Sequence, residues 1–164
     1  MNLLTEVLRG RLGLNQGLNL GLPKLNSILN GIQKKTSYTI AAEKKVGKTA
    51  YVDALWVINA YLLNPNAKIK WIYFSFEIDR ISKEAKYAAY FMWHDFGVEL
   101  SDNYILGKEV DVNGNRILIS DEHLEMIKTI YQNRIIPLFG EYDDEGNRTK
   151  EGVIDFIEDK INPT

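Results

Sequence analysis

A glycine, a lysine and a hydroxyl residue in direct succession, Gly47-Lys48-Thr49, sit near the end of the stretch Ala42-Glu43-Lys44-Lys45-Val46-Gly47-Lys48-Thr49-Ala50. Residues of these types at this spacing suit phosphate chemistry. A loop that runs into a helix start presents several backbone N–H groups at the positive end of the helix dipole. Lys48 adds a point charge suited to the β- and γ-phosphates of a nucleotide, and the Thr49 hydroxyl is a ligand for Mg²⁺. The pattern G-x-x-x-x-G-K-[ST] places glycine where this chain has Ala42. Glycine there turns the chain with positive φ, which alanine does only at a steric cost. Two outcomes are open: a remodelled loop, or an Ala42 that stays in an allowed region.

Glu77 is the second candidate. It follows the apolar run Trp71-Ile72-Tyr73-Phe74-Ser75-Phe76, and a carboxylate at the C-terminal tip of a parallel strand sits where ligands bind in open α/β sheets. From there it can orient water for in-line attack on a γ-phosphate. Other titratable residues are weaker candidates. Lys44 and Lys45, with Lys34 and Lys35 nearby, could meet phosphates, meet nucleic acid or form a solvated face. His94 and His123 have no second ligand at metal spacing and read as packing or surface residues. Asp111, Asn113, Asn115 and Glu122 imitate part of a calcium loop, but Arg116 stands where that loop needs glycine, which rejects the reading.

The elements that must position these residues follow from periodicity. Residues 2–9 predict a short helix, and Leu25, Ile28, Leu29 and Ile32 predict a second one, capped by Gly31 and packed under the next strand. Residues 37–41 predict a first strand, 48–63 the helix leaving the loop, and 70–75 a second parallel strand buried on both faces, together a β-α-β unit with a right-handed crossover. A long helix is expected over 81–96, whose aromatic stripe Tyr87, Tyr90, Phe91 and Trp93 reads as core and not as a base-stacking platform. A surface hairpin is expected at 111–117, and a helix capped by Ser120 that buries Leu124, Ile127, Ile130 and Tyr131. Residues 134–139 predict a third strand, 141–147 a polar turn, and 149–161 a last helix with the stripe Val153, Phe156, Ile157 and Ile161, stopped at Asn162-Pro163.

Composition bounds the classes. The chain has 164 residues, 45% hydrophobic and 26% charged, which is ordinary for one globular domain with a core of its own. It has no cysteine, which excludes a disulfide framework and thiolate metal sites. A net charge of −2 excludes nucleic-acid binding by bulk positive charge, leaving only a local patch. No apolar run reaches membrane-spanning length and the start is unlike a signal peptide, so a cytoplasmic protein is expected.

The order of motifs resembles the RecA-like ATPases, and within them the ATPase core of the DnaB-type replicative helicases. Three stretches carry the resemblance: the lead-in Gly21-Leu22-Pro23-Lys24-Leu25-Asn26-Ser27-Ile28-Leu29-Asn30-Gly31, the loop 41–50, and Ile72-Tyr73-Phe74-Ser75-Phe76-Glu77-Ile78. It covers residues 17–77 well and the rest only by the order of elements. What it implies is an α/β P-loop fold of mostly parallel sheet flanked by helices, with 1–20 as a lead-in and 21–164 as part of one ATPase domain. It implies ATP and Mg²⁺ held by residues 42–50, Glu77 polarising the attacking water, a hexamer, and a bacterial or phage-infected cell. A Mg²⁺-holding aspartate on a later strand, an arginine finger and the single-stranded-DNA loops find no match, so the chain resembles the first half of such a core, cut before the aspartate strand. Unpaired strands would then call for self-association or a completing partner chain. Two alternatives stand beside the helicase-type ATPase: a non-catalytic relative used for binding or assembly, and a recombination ATPase.

Overall fold

Helices dominate a computed structural model that describes residues 2–75 and 77–158. The chain divides into two compact units, Met1–Ile69 and Lys70–Thr164. Each has its own small core.

In the first unit, α1 (Leu3–Arg11) is capped by Asn2, whose side chain accepts from Thr5 N. None of its residues is buried, and Leu3, Leu4, Val7 and Leu8 are all more than half exposed. The lead-in then bridges back on itself, Leu18 pairing antiparallel with Ile32. Gly17 and Gly31 make that approach feasible: a Cβ on Gly17 would lie 2.4 Å from the Ile32 carbonyl oxygen. Helix α2 (Pro23–Leu29) ends at Asn30, which takes the left-handed cap conformation next to Gly31. It is not packed under a strand as expected, since Ile28 is 71% exposed.

Helix α3 runs over 48–62, regular at Lys48–Val52 and Ala60–Leu62 with a π-helical segment Asp53–Asn59 between. It stops before Asn64-Pro65, as the sequence predicts. Val57, Ile58 and Ala60 pack with Leu20 as this unit's core. Asparagines strap the lead-in to the helix: Asn59 Nδ2 donates to Leu20 O at 3.0 Å, and Asn64 exchanges bonds with the Asn19 backbone at 2.9 and 3.0 Å.

The strand expected at 37–41 does not form a ladder among the described residues. Its residues are β-formers, but a strand needs a neighbour to satisfy its backbone groups. Side-chain contacts hold the segment instead: the Tyr38 hydroxyl accepts from Gln33 N at 2.9 Å, and its ring lies 4.8 Å from that of Trp56 on α3.

In the second unit, β1 (Trp71–Ser75) pairs in parallel with β4 (Ile154–Glu158), Trp71 opposite Ile154 and Ser75 opposite Glu158. Between them run α4 (Arg80–Phe96), α5 (Asp102–Ile105), a long helix α6 over 121–139, and the hairpin β2 (Glu141–Tyr142) and β3 (Arg148–Lys150). The result is an α/β fold with a small parallel sheet. Its core joins Tyr87, Ala88, Phe91 and Met92 of α4 to Ile130, Ile135, Leu138 and Phe139 of α6 and Ile154 of β4. Tyr87 meets Phe139 edge to face at 5.2 Å, and Tyr73 stacks on Phe156 at 5.3 Å.

Several expectations are corrected here. Residues 134–139 are helix, not a third strand: α6 passes through a π segment Tyr131–Ile135 and continues as Ile136–Phe139. The π turn shifts the hydrogen-bond register just ahead of Pro137, which lacks an N–H to donate. The described part of 149–161 is not a helix but runs through the end of β3 and β4, and Ile161 and the stop at Asn162-Pro163 lie outside the described residues. β4 is a parallel strand where the sequence predicts a helix. Nor is β1 buried on both faces: Tyr73 faces inward while Ile72 and Phe74 are each 61% exposed.

The stripe on α4 splits, Tyr87 and Phe91 in the core and Trp93 60% exposed. On α6, Ile130 is buried but Leu124 and Tyr131 are largely exposed. Caps are as expected, with Ser120 accepting from His123 N at 3.2 Å. The hairpin at 111–117 closes through one Val110–Arg116 bridge. Its turn, Asp111-Val112-Asn113-Gly114-Asn115, matches Asp143-Asp144-Glu145-Gly146-Asn147: in both, the aspartate Oδ1 accepts from the asparagine N and the glycine has φ +82°.

Candidate phosphate-binding loop and the Glu77 corner

The loop before α3 turns without help from Ala42. Ala42 keeps a negative φ, whereas Lys45 (φ +64°) and Gly47 (φ +85°) take left-handed conformations. The turn that the motif assigns to its first glycine is thus made three and five residues later, and of the two outcomes open from the sequence, Ala42 stays in an allowed region. Gly47 then serves as N-cap of α3, so Lys48 and Thr49 are its first two residues.

Every residue from Ala41 to Ala50 is exposed. Among the described residues, the backbone amides of Gly47 to Ala50 at the start of α3 have no hydrogen-bond acceptor, and Lys48 Nζ and Thr49 Oγ1 have no partner. Free amides at the start of a helix that continues to residue 62 form an anion-binding arrangement. Lys44 and Lys45 are exposed too, and among the described residues Lys44, Lys45 and Lys48 have no carboxylate partner, so the loop gathers positive charge.

Lys45 sits in the left-handed region at a cost of about 1–2 kcal/mol for a residue with a Cβ. Lys45→Gly removes that cost and adds roughly 0.5–1 kcal/mol of unfolded-state entropy. A melting experiment is expected to show stability unchanged or raised by up to about 1 kcal/mol; a loss larger than that would mean Lys45 is not left-handed.

Glu77 belongs to the second unit and follows β1 directly. The Ser75 hydroxyl donates to Ile78 O at 2.5 Å and accepts from Ile78 N at 3.1 Å, closing a tight corner with Glu77 at its exposed tip. Asp79 then caps α4, its side chain accepting from Ser82 N at 2.8 Å and Ser82 Oγ at 2.7 Å, which holds the Asp79 carboxyl below its ordinary range. Glu77 itself has no partner among the described residues. Beside it in the ladder, Ser75 registers with Glu158 at the end of β4.

No protein-family profile, curated protein or solved structure matches the chain. The residues must carry the functional reading themselves.

Asp155 is in β4 but opposite Ile72, near the start of the ladder. Arg148 at 2.6 Å and Lys70 at 3.1 Å hold its carboxyl below the ordinary range. It is a structural ion pair. The histidines are also accounted for, His94 bonded to Asp95 at 2.6 Å and His123 to the Tyr104 hydroxyl at 3.0 Å. Among the described residues no group of three or more His, Asp or Glu could hold a metal ion, and no helix is long and apolar enough to cross a membrane.

What sequence reasoning missed is the machinery around the candidates. Lys45 as the left-handed residue left no signal, because lysine is rare in that region. Ser75 was legible as a hydroxyl two residues before a glutamate at a strand end.

Proposed function

We propose that the chain binds a nucleoside triphosphate, with ATP as the ligand the family resemblance suggests, through the loop 42–50. The observation that carries this reading is the exposed helix start at Gly47 to Ala50, whose amides have no acceptor among the described residues and which presents the Lys48 and Thr49 side chains unpaired among those residues. In it, the amides and Lys48 hold the β- and γ-phosphates, and Thr49 Oγ1 holds Mg²⁺, which supplies charge neutralisation on the phosphates. Mg²⁺ keeps several waters and needs few protein ligands.

In the same reading Glu77 orients the attacking water, and the chain serves as the ATP-binding module of a DnaB-type replicative helicase, working as an assembly of copies that engages single-stranded DNA. Its free, exposed carboxylate at a strand end supports that role. Glu77→Gln keeps the shape and loses the charge: nucleotide affinity is expected to stay within about threefold, while turnover falls by the 10²–10⁴-fold typical of removing a general base. Turnover equal to wild type would remove Glu77 from the mechanism.

One observation favours the non-catalytic alternative. Asp155 is neutralised by Arg148 and Lys70 and lies near the wrong end of β4 to hold a metal beside Glu77. Tight ATP binding by wild type with no turnover would select that alternative.

A further inference from the structure

Lys83 is a lysine with no exposed surface, set in the first turns of α4. Its Nζ donates to the Tyr73 hydroxyl at 2.6 Å and lies 4.4 Å from the centre of the Tyr73 ring and 5.8 Å from that of Tyr87. Taking an ammonium out of water is costly unless it is paired and hydrogen-bonded, and an apolar residue of similar volume often serves stability as well. A charge kept there points to a geometric task.

The task is legible from what it joins. Tyr73 is in β1, stacked on Phe156 of β4, and Lys83 is in α4; the chain between them is the corner 74–82 with Glu77 at its tip. Ser75 and Asp79 fix that corner locally, through Ile78 and Ser82. The Lys83–Tyr73 bond ties the strand to the helix beneath it. We infer that Lys83 is a positioning residue: through the Tyr73 hydroxyl it fixes the angle between β1 and α4 and so the place of Glu77. The hydrolytic part of this inference rests on the proposed role of Glu77; the mechanical part does not.

Two variants separate the bond from bulk stability. Lys83→Met keeps the length of the side chain and removes the ammonium, and Tyr73→Phe keeps the stacked ring and removes the hydroxyl that accepts from Lys83. Hydrogen exchange of the Ile78 amide, which donates to Ser75 Oγ, reads the corner directly. Each variant is expected to speed Ile78 exchange roughly tenfold. Amides in the body of α4, Tyr87 to Phe91, should stay protected as in wild type.

Unchanged Ile78 exchange in either folded variant overturns the inference, and so does equal acceleration across all of α4, which would be global destabilisation. In parallel, kcat for ATP is expected to fall by about 10–100-fold with KM unchanged, the scale of a misplaced catalytic group. Absence of turnover in wild type would overturn the Glu77 reading alone, with Ile78 exchange still deciding whether Lys83 holds the corner.

Discussion

Lys48→Ala is expected to cost at least tenfold in affinity for Mg·ATP, and on the order of 100-fold if Lys48 meets both terminal phosphates. A hydrogen bond to a charged group contributes about 1.5–3 kcal/mol, and each 1.4 kcal/mol is tenfold in affinity. The substitution is unusually clean. Lys48 is exposed and makes no side-chain bond among the described residues, so its removal leaves nothing buried and unpaired there. Stability should change by less than about 0.5 kcal/mol. A calorimetric titration of wild type and variant, with melting curves on both, checks the two halves together. Equal affinity would remove Lys48 from the site; a large loss of stability would mean its side chain is engaged in the fold.

Ile154→Ala is the most destabilising change expected in the second unit's sheet. Ile154 is fully buried in β4, and deleting a buried isoleucine to alanine costs about 2–5 kcal/mol. Ile157, three residues on, is 43% exposed on the outer face, and Ile157→Ala should cost less than about 1 kcal/mol. A helix over 149–161 predicts the reverse, because its stripe of Val153, Phe156, Ile157 and Ile161 buries Ile157 and leaves Ile154 outside. Chemical denaturation of the two variants therefore reports the period of this segment. Ile157 costing more than Ile154 would restore the helix.

That segment shows where the sequence stops being legible. Ile154-Asp155-Phe156-Ile157-Glu158 fits a period of two and a period near 3.6 about equally well over so short a run. What decides is β1, eighty residues earlier in the chain, whose edge offers a complete parallel ladder to this segment. The opposite error at 134–139 has a similar cause. Ile135-Ile136-Pro137 looks like an edge strand, but the helix begun at Asp121 carries through by way of a π turn, burying Ile135, Ile136, Leu138 and Phe139 against α4.

Local chemistry was read well where it depends on neighbours in the chain. Ser120 and the Asp111–Asn115 turn both act within a few residues of themselves. So do Lys48 and Thr49, whose place at the start of α3 follows from the loop that precedes them. The strand at 37–41 failed for the reason β4 succeeded: strand propensity needs a partner, and among the described residues none pairs with it.

The central claim is that the amides of the loop bind phosphate. Backbone amide chemical shifts of the wild-type chain, followed as Mg·ATP is added, test it most directly. The account predicts saturable shifts concentrated at Lys44 to Ala50, absent with adenosine alone and reproduced in part by inorganic triphosphate. Saturable shifts elsewhere with these amides unmoved, or no shifts at millimolar nucleotide, would contradict it.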